Sequence, residues 1–328
     1  MKYLSLFSGI GGFELAIRNV FPSAVCVGYS EIKPTALQVY QSNYSTHVNL
    51  GDITKIDLQK LPFCDLVVAG FPCTNLSSLA HIQGDNRGLD GPASGLFYNL
   101  LAILKKLKNK NNKLHFIIEN NASMSKKNRA LITAELNKLG LVYCTKIDSA
   151  WLGVQTRKRL YWTTFPIDDQ YKIIQTWNDV LEPIDKVEKE KISENYISCL
   201  NRTIPCAQMV HKRLFYDGTD FQMILNNQKR KSRWQCSFHS DTTEEKTLYS
   251  YPIGHSRPIT ASFGNHNVLV DRRVSPFIIR KFSLVEIERL FGFFDGYTKV
   301  LQTRSKAVDC LGNTVVVFVI EHILKSLK

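Results

Sequence analysis

Residues Asp65 to Ser78 read DLVVAGFPCTNLSS, and the fold follows from how that stretch is taken. Leu66, Val67, Val68 and Ala69 form an unbroken apolar run rich in branched side chains, the pattern of a strand buried on both faces of a parallel sheet. Gly70 ends the run. Pro72 fixes a backbone dihedral and carries no N–H, so Cys73 is presented on a loop at the strand's carboxyl end, where open α/β sheets put their ligands. A cysteine taken alone is more often a small buried hydrophobe than a nucleophile. This one has company: a glycine turn after the first strand, Glu119 at the end of another strand, and the cationic run QTRKR from Gln155 to Arg159.

Toward the N-terminus, Tyr3 to Phe7 reads as a strand, Ser8 to Gly12 as a glycine-rich turn and Phe13 to Val20 as an amphipathic helix. A second strand, Val25 to Tyr29, leads to Glu31, about 20 residues past the turn, where a carboxylate that grips ribose hydroxyls belongs. The turn is GxGG, which is not the dinucleotide fingerprint GxGxxG. Asp52, after Gly51, stands where a third strand should end, placed to meet an adenine amino group. Singly, such acidic residues are more often caps or turn formers; successive strand ends carrying suitable groups are a stronger signal.

Toward the C-terminus, the stretch to Gly95 holds Gly84, Gly88, Gly91 and Pro92 with few apolar anchors, the composition of a disordered segment or an active-site lid. A helix from Leu96 to Leu107, a solvated KNKNNK run and a buried strand from His115 to Ile118 follow, the strand delivering Glu119 and Asn120. Helix Lys127 to Leu139 and strands Leu141 to Ile147 and Leu160 to Thr164 complete an alternation that predicts a parallel sheet with helices on both faces. The pattern breaks after Pro166. From there to Pro276 the chain is polar and irregular, with NNQKRKSRW at Asn226 to Trp234 and with Tyr249, Tyr251, His255 and Arg257 among cations. That composition suits nucleic-acid contact or a solvated loop surface equally. Regular structure resumes at Arg280, with a helix from Leu284 to Phe291 whose Ser283 and Glu286 have capping-box spacing, and ends in an apolar helix, Leu311 to Leu327.

Composition limits the partners. Lys and Arg number 42 against 29 Asp and Glu, a formal charge of +13, which favours a polyanion. At 328 residues the chain has room for one large domain and a smaller one. The eight cysteines form no CxxC pair, and the opening MKYLSLFSGIGG runs straight into a strand with no signal-peptide pattern. They are read as reduced thiols of a cytoplasmic protein. Cys199, Cys206, His211, Cys236 and His239 are too irregularly spaced for a zinc site, so no metal is expected. No apolar stretch is read as membrane-spanning.

The ordered series FSGIGG (Phe7 to Gly12), Glu31, GDI (Gly51 to Ile53), FPCTNLS (Phe71 to Ser77), GLF (Gly95 to Phe97), ENN (Glu119 to Asn121), QTRKR, RKFSLVEIERLFGF (Arg280 to Phe293) and GNTV (Gly312 to Val315) resembles the DNA cytosine-5 methyltransferases along almost the whole chain. Thr74 and Asn75 stand where most members have Gln after Pro-Cys, a PCxxLS form that looks like the de novo branch, and ENN replaces ENV. The resemblance implies an α/β fold. A Rossmann-like S-adenosylmethionine-dependent domain with a mixed, mostly parallel sheet would span 1–168 and 305–328, and a smaller, irregular β-rich target-recognition domain 169–304. It implies methyl transfer from S-adenosyl-L-methionine to C5 of a cytosine flipped out of a specific double-stranded DNA sequence. Cys73 would add to C6, Glu119 would neutralise charge at N3, Arg159 would meet O2, Arg157 would help order the closed loop, and Asn120 would hold that loop through its backbone. Phe7, Gly9, Gly11, Gly12, Glu31, Ile32, Asp52, Ile53, Leu96, Asn313 and Val315 would surround the cofactor. The implied setting is a monomer, with the existence of a restriction endonuclease partner left open. The alternatives are an RNA (tRNA) cytosine-5 methyltransferase on the same scaffold and a catalytically inactive DNA-binding relative.

Overall fold

Alternating strand and helix signals become a single six-stranded sheet in the computed structural model, which describes residues 1–72, 92–187, 256, 258–259 and 278–328, together with the backbone of strands Phe221–Gln228, Lys246–Ser250 and Val268–Asp271. Cys73 and the rest of its loop to Gly91, the cysteine and histidine group 199–239, Tyr251, His255 and Arg257 lie outside the described residues.

The sheet strands are β1 (Lys2–Leu6), β2 (Val25–Ser30), β3 (Leu66–Gly70), β4 (His115–Asn121), β5 (Tyr143–Asp148) and β6 (Lys158–Thr163), in the order β2-β1-β3-β4-β6-β5. The pairs among β2, β1, β3 and β4 are parallel, whereas β6 runs antiparallel to both β4 and β5. The link from β5 to β6 is short, which allows only an antiparallel return; β6 therefore enters the gap between β4 and β5. Helices α1 (Gly12–Val20) and α2 (Pro34–Asn43) cover one face, and α3 (Pro92–Lys110) and α4 (Lys126–Asn137) the other. Side chains of β3 alternate between the two cores, Leu66 and Val68 in one, Val67 and Ala69 in the other, as a strand buried on both faces must.

Short helices α5 (Trp177–Val180) and α6 (Ile184–Val187) follow. A second sheet combines β7 (Phe221–Gln228), β8 (Lys246–Ser250), β9 (Val268–Asp271) and β10 (Ile278–Lys281) in the antiparallel order β10-β9-β7-β8. The chain ends in α7 (Leu284–Leu290), α8 (Arg304–Gly312) and α9 (Val317–Lys325).

Several boundaries differ from the sequence expectation. Helix α3 starts at Pro92, inside the expected lid, and runs through Lys110; proline at a first helical position loses no needed N–H. The single closing helix is two, with Asn313 capping α8 and α9 beginning at Val317. Together Arg304–Lys325 is long and apolar enough to cross a membrane by length and composition, contrary to the expectation, yet 78% of its apolar window is buried inside the protein, where α9 packs on α1. Trp177, Phe282, Ile287, Phe291, Phe293 and Tyr297 fall within the expected second domain, but they are buried in the same cluster as Ile10, Phe13 and Leu15. The expected capping box of Ser283 and Glu286 is present. Glu286 also takes both nitrogens of Arg280 at 2.7 and 2.8 Å, with neither side chain exposed. Arg280 is thus a buried structural cation.

The third residue of α1, Glu14, is fully buried, with its Oε1 accepting a hydrogen bond from the Tyr40 hydroxyl at 3.0 Å. Tyr3, Cys26 and Tyr44 also face it, and Tyr40 in turn bonds Nδ1 of His47. Burial pushes the Glu14 carboxyl up to about 7, while hydrogen bonds from neighbouring groups pull the other way. The folded protein therefore favours the neutral acid. That contribution is complete below the ordinary carboxylate range and is lost as pH rises through about 7, a difference of about 3 kcal/mol. Glu14→Gln is expected to melt a few degrees above wild type at pH 8 and close to it at about pH 4. Parallel melting curves of the two proteins across that range would show that Glu14 is not the group responsible.

Candidate active site

The site gathers at the carboxyl ends of β1 to β4. Gly70 ends β3 in register with Glu119 of β4, and a Cβ added at Gly70 would sit 3.2 Å from the Glu119 Oε2. The glycine is what lets the carboxylate lie across the end of β3. The next β4 residue, Asn120, is 1% exposed and donates from Nδ2 to the Phe71 carbonyl at 2.9 Å. Phe71 is itself buried and packs its ring against Phe97 of α3. The chain entering Cys73 is thereby fixed two residues upstream of the sulfur, and the strand that carries the acid does the fixing.

Glu119 pairs with Arg159 of the neighbouring β6, Nε to Oε1 at 2.9 Å, both side chains retaining a little exposure. Burial raises the Glu119 carboxyl above its ordinary range, and Arg159 and then Arg157 oppose it. The balance leaves an acid held closer to neutrality than a surface glutamate, beside a cation that can also face a ligand. Arg157 differs. It is buried, its guanidinium donates to the carbonyls of Ile259, Gly312 and Thr314 at 2.9 to 3.0 Å, and it lies over the Phe291 ring. These bonds tie β6 to the turn carrying Asn313. The expected contact of Arg157 with the Cys73 loop falls outside the described residues. Asp148 supports the start of β6 by accepting from the Arg157 and Ala150 N–H groups.

A second cluster surrounds the glycine turn. Phe7 leaves β1 with φ 54°, the one non-glycine with positive φ among the described residues, followed by Gly9 at 57° and Gly11 at 91°. Such backbone strain belongs to sites where geometry is dictated by function. Glu31 accepts from the N–H groups of Gly9, Ile32 and Lys33; a carboxylate has about four lone-pair positions, so a further donor can be taken. Asp52 caps the short turn Ile53–Lys55 through Oδ1, from the Thr54 N–H and hydroxyl, which hold its carboxyl below the ordinary range. Ile53 is buried, whereas Ile32 is 63% exposed, a large apolar side chain free to cover a flat ring. Leu96 is partly buried. Asn313 is exposed with its side chain on the Asp309 carbonyl, and Val315 and Thr314 press against Gly12, where a Cβ would meet them at 2.9 and 2.8 Å. Helix α1 opens at Gly11 without a side-chain cap, so its first N–H groups are available to an anionic ligand group.

Of the groups named from the sequence, Glu119 and Arg159 meet at one end of the sheet and Gly9 meets Glu31 at the glycine turn, while Cys73 lies outside the described residues. Sequence reasoning missed Gly70, Asp148 and Tyr297. Gly70 was visible only as the end of a strand, and the reach of Tyr297 to the glycine turn is a long-range contact with no local signature. Around His255 and Arg257, in the stretch whose composition suits nucleic-acid contact, only Ser256, Pro258 and Ile259 are described. Of these, Ser256 pairs with Val154 and Thr156, and both Ser256 and Ile259 are buried there.

Residues 1–328 match the family model of the C-5 cytosine-specific DNA methylases. Type II methyltransferase M.NlaIV of Neisseria lactamica is 36% identical over 180 residues, covering 50% of this chain and 41% of that one. Orphan methyltransferase M.SPRI of Bacillus phage SPR is 34% identical over 293 residues, 85% of this chain and 63% of that one. The matched region therefore spans less than two thirds of these relatives' length. Among solved structures, the DNMT2 of Spodoptera frugiperda superposes with a TM-score of 0.66 at 19% identity, over 99% of each chain. A putative DNA modification methyltransferase encoded within an E. coli prophage gives 0.61 at 15%, over 100% of this chain and 98% of that one. At these identities the two structures support the fold alone.

Proposed function

The chain belongs to the C-5 cytosine-specific DNA methylase family, and from that premise we propose that it methylates C5 of a cytosine within a specific double-stranded DNA sequence. The observation that carries this reading is the Glu119–Arg159 pair at the end of β4, with Asn120 of the same strand bonded to the chain that leads into Cys73.

C5 of cytosine is a weak nucleophile until the 5,6 double bond is opened. The Cys73 thiolate adds to C6, and the electron pair displaced by that bond moves toward C5 and N3. Glu119, protonated, gives its proton to N3, so no full negative charge accumulates on the ring. Arg159, already on Oε1 of Glu119, supplies a cation for the cytosine O2. After C5 is alkylated, removal of the C5 proton to water re-forms the double bond and expels the Cys73 sulfur. The target base must leave the helix for these groups to reach it, at a few kcal/mol of unstacking. The net charge of +13 attracts the phosphate backbone.

S-adenosyl-L-methionine, when bound, supplies a methyl group on a sulfonium that leaves as a neutral thioether. The residues around the glycine turn suit it. The uncapped first turn of α1 would hold its carboxylate, Glu31 its ribose hydroxyls, Asp52 its adenine amino group, and Ile32 would cover the adenine face. Phe7, Gly9, Gly11, Gly12, Ile53, Leu96, Asn313 and Val315 form the remaining wall. Arg157 acts by joining that wall to β6. We place the protein in the cytoplasm as a monomer that pairs with a restriction endonuclease or acts without one.

Bisulfite sequencing of DNA from cells expressing the protein tests the reading directly. Protected cytosines confined to one sequence context are expected. Full conversion throughout, with label from the cofactor entering tRNA instead, would move the substrate to RNA.

A further inference from the structure

Tyr297 lies in the loop after α7, 287 residues from the glycine turn, yet its hydroxyl donates to the Ile10 carbonyl at 2.6 Å. It is 1% exposed. The same hydroxyl stands 3.4 Å from the Gly11 carbonyl and 3.4 Å from the Tyr44 hydroxyl, and Tyr44, just beyond α2, donates to the Gly11 carbonyl at 3.3 Å. There is no slack between these rings and the turn. A Cβ on Gly11 would lie 2.5 Å from the Tyr44 ring and 3.0 Å from the Tyr297 oxygen. The loop that carries Tyr297 is pinned in turn. Glu288, fully buried, accepts from the Gly296 and Thr298 N–H groups and the Thr298 hydroxyl at 2.6 to 2.7 Å. Arg289 holds Asp295 through two nitrogens.

We propose that Tyr297, with Tyr44 beside it, is a positioning residue for cofactor binding: it grips the back of the glycine turn through the Ile10 and Gly11 carbonyls and so sets the direction of the turn's opposite, cofactor-facing side. The reason is peptide geometry. In a trans peptide the C=O and the following N–H point in opposite directions. The Gly11 carbonyl accepts from the Leu15 N–H at 3.1 Å as the first acceptor of α1, and Tyr44 holds it a second time at 3.3 Å, so the Gly12 N–H, the first uncapped donor of α1, points away from the tyrosines and outward to the ligand. Fixing the Ile10 carbonyl against Tyr297 holds the Gly11 N–H on the Ser8 carbonyl, which closes the turn. Without a hydroxyl, the Ile10 carbonyl is a buried acceptor with no partner and the strained turn relaxes. The inference rests on the cofactor assignment made above.

The test is titration calorimetry of the full-length protein with S-adenosylmethionine and with S-adenosylhomocysteine, alongside steady-state methyl transfer. Tyr297→Phe is expected to weaken both ligands about tenfold and to raise the cofactor KM to match, with kcat at saturating cofactor within about twofold of wild type. Tyr44→Phe, which removes the longer bond, should weaken binding about threefold, and it decides the question if Tyr297→Phe does not fold. Thr133→Val serves as the structural control. It removes the acceptor of the buried Trp162 indole N–H in α4, and it should lower the melting temperature while leaving cofactor affinity unchanged. Wild-type affinity in Tyr297→Phe, or an equal loss in Thr133→Val, overturns the proposal. A wild-type protein that binds neither ligand removes the cofactor assignment itself, and this inference falls with it.

Discussion

Cys73→Ser is expected to lower methyl transfer to DNA by roughly ten-thousand-fold or more, the scale on which an enzyme loses its nucleophile, which is ~5.5 kcal/mol of barrier. The hydroxyl is smaller than the thiol and fits the same place, but it ionises far less readily, and only the ionised form adds to a ring carbon at a useful rate. Cofactor affinity should stay within about twofold of wild type, because none of the residues assigned to the cofactor borders the substituted atom in sequence. The chain leading to position 73 is anchored through Phe71 and Asn120, and that bond survives the change. Two assays separate the effects: tritium transfer from labelled cofactor, and trapping on DNA containing 5-fluorocytosine, where the fluorine blocks the final elimination and leaves the protein attached. Wild type should be captured and Cys73→Ser should not. A folded Cys73→Ser protein that methylates at the normal rate would mean that another group attacks C6.

The sheet was legible because its strands are short apolar runs whose residues have only one way to be buried, as Leu66 to Ala69 illustrate. Glu119 was legible for a related reason, because a polar residue directly after such a run falls at the carboxyl end of the sheet. Arg159 stands before its strand, and a parallel sheet would put it at the opposite end; only the resemblance joined it to Glu119, and the antiparallel β6 is what allows their 2.9 Å contact. What escaped was set by distant contacts. Thr314 to Val319 reads as the continuation of one apolar helix, but the Gly312 and Thr314 carbonyls are taken by Arg157. The backbone opens there and α9 starts afresh at Val317. Pro92 sits among glycines and reads as loop, although a first-turn proline costs a helix nothing. The stretch from Phe282 to Leu301 looked like part of the second domain because it follows the irregular region directly. Only its burial against α1 and α9 joins it to the first sheet, and no local pattern encodes a packing partner that far away.

Glu119→Gln is expected to reduce kcat about 100- to 1,000-fold, the usual worth of a positioned general acid, with little change in cofactor affinity. The amide keeps the shape of the acid and can still approach N3, but it has no proton to give. Its effect should therefore depend on pH in a way that a packing defect would not. In wild type the burial that raises the Glu119 carboxyl keeps it protonated to higher pH than a surface glutamate, and activity should fall on the alkaline side as that proton is lost. In Glu119→Gln this alkaline limb should disappear. Arg159→Ala bears on the same proton from the other side. Removing the cation that opposes the upward shift moves the alkaline limb to higher pH, even while the lost contact to O2 lowers kcat/KM. The two variants thus change rate in the same direction and the pH profile in different ways. No structural destabilisation produces that combination, because unfolding would scale the whole profile down without displacing its limb. If Glu119→Gln retained activity within about threefold of wild type, with its alkaline limb intact, the proton for N3 would have to come from elsewhere. The pair at the end of β4 would then be a strut between β4 and β6, comparable to the buried Arg280–Glu286 pair.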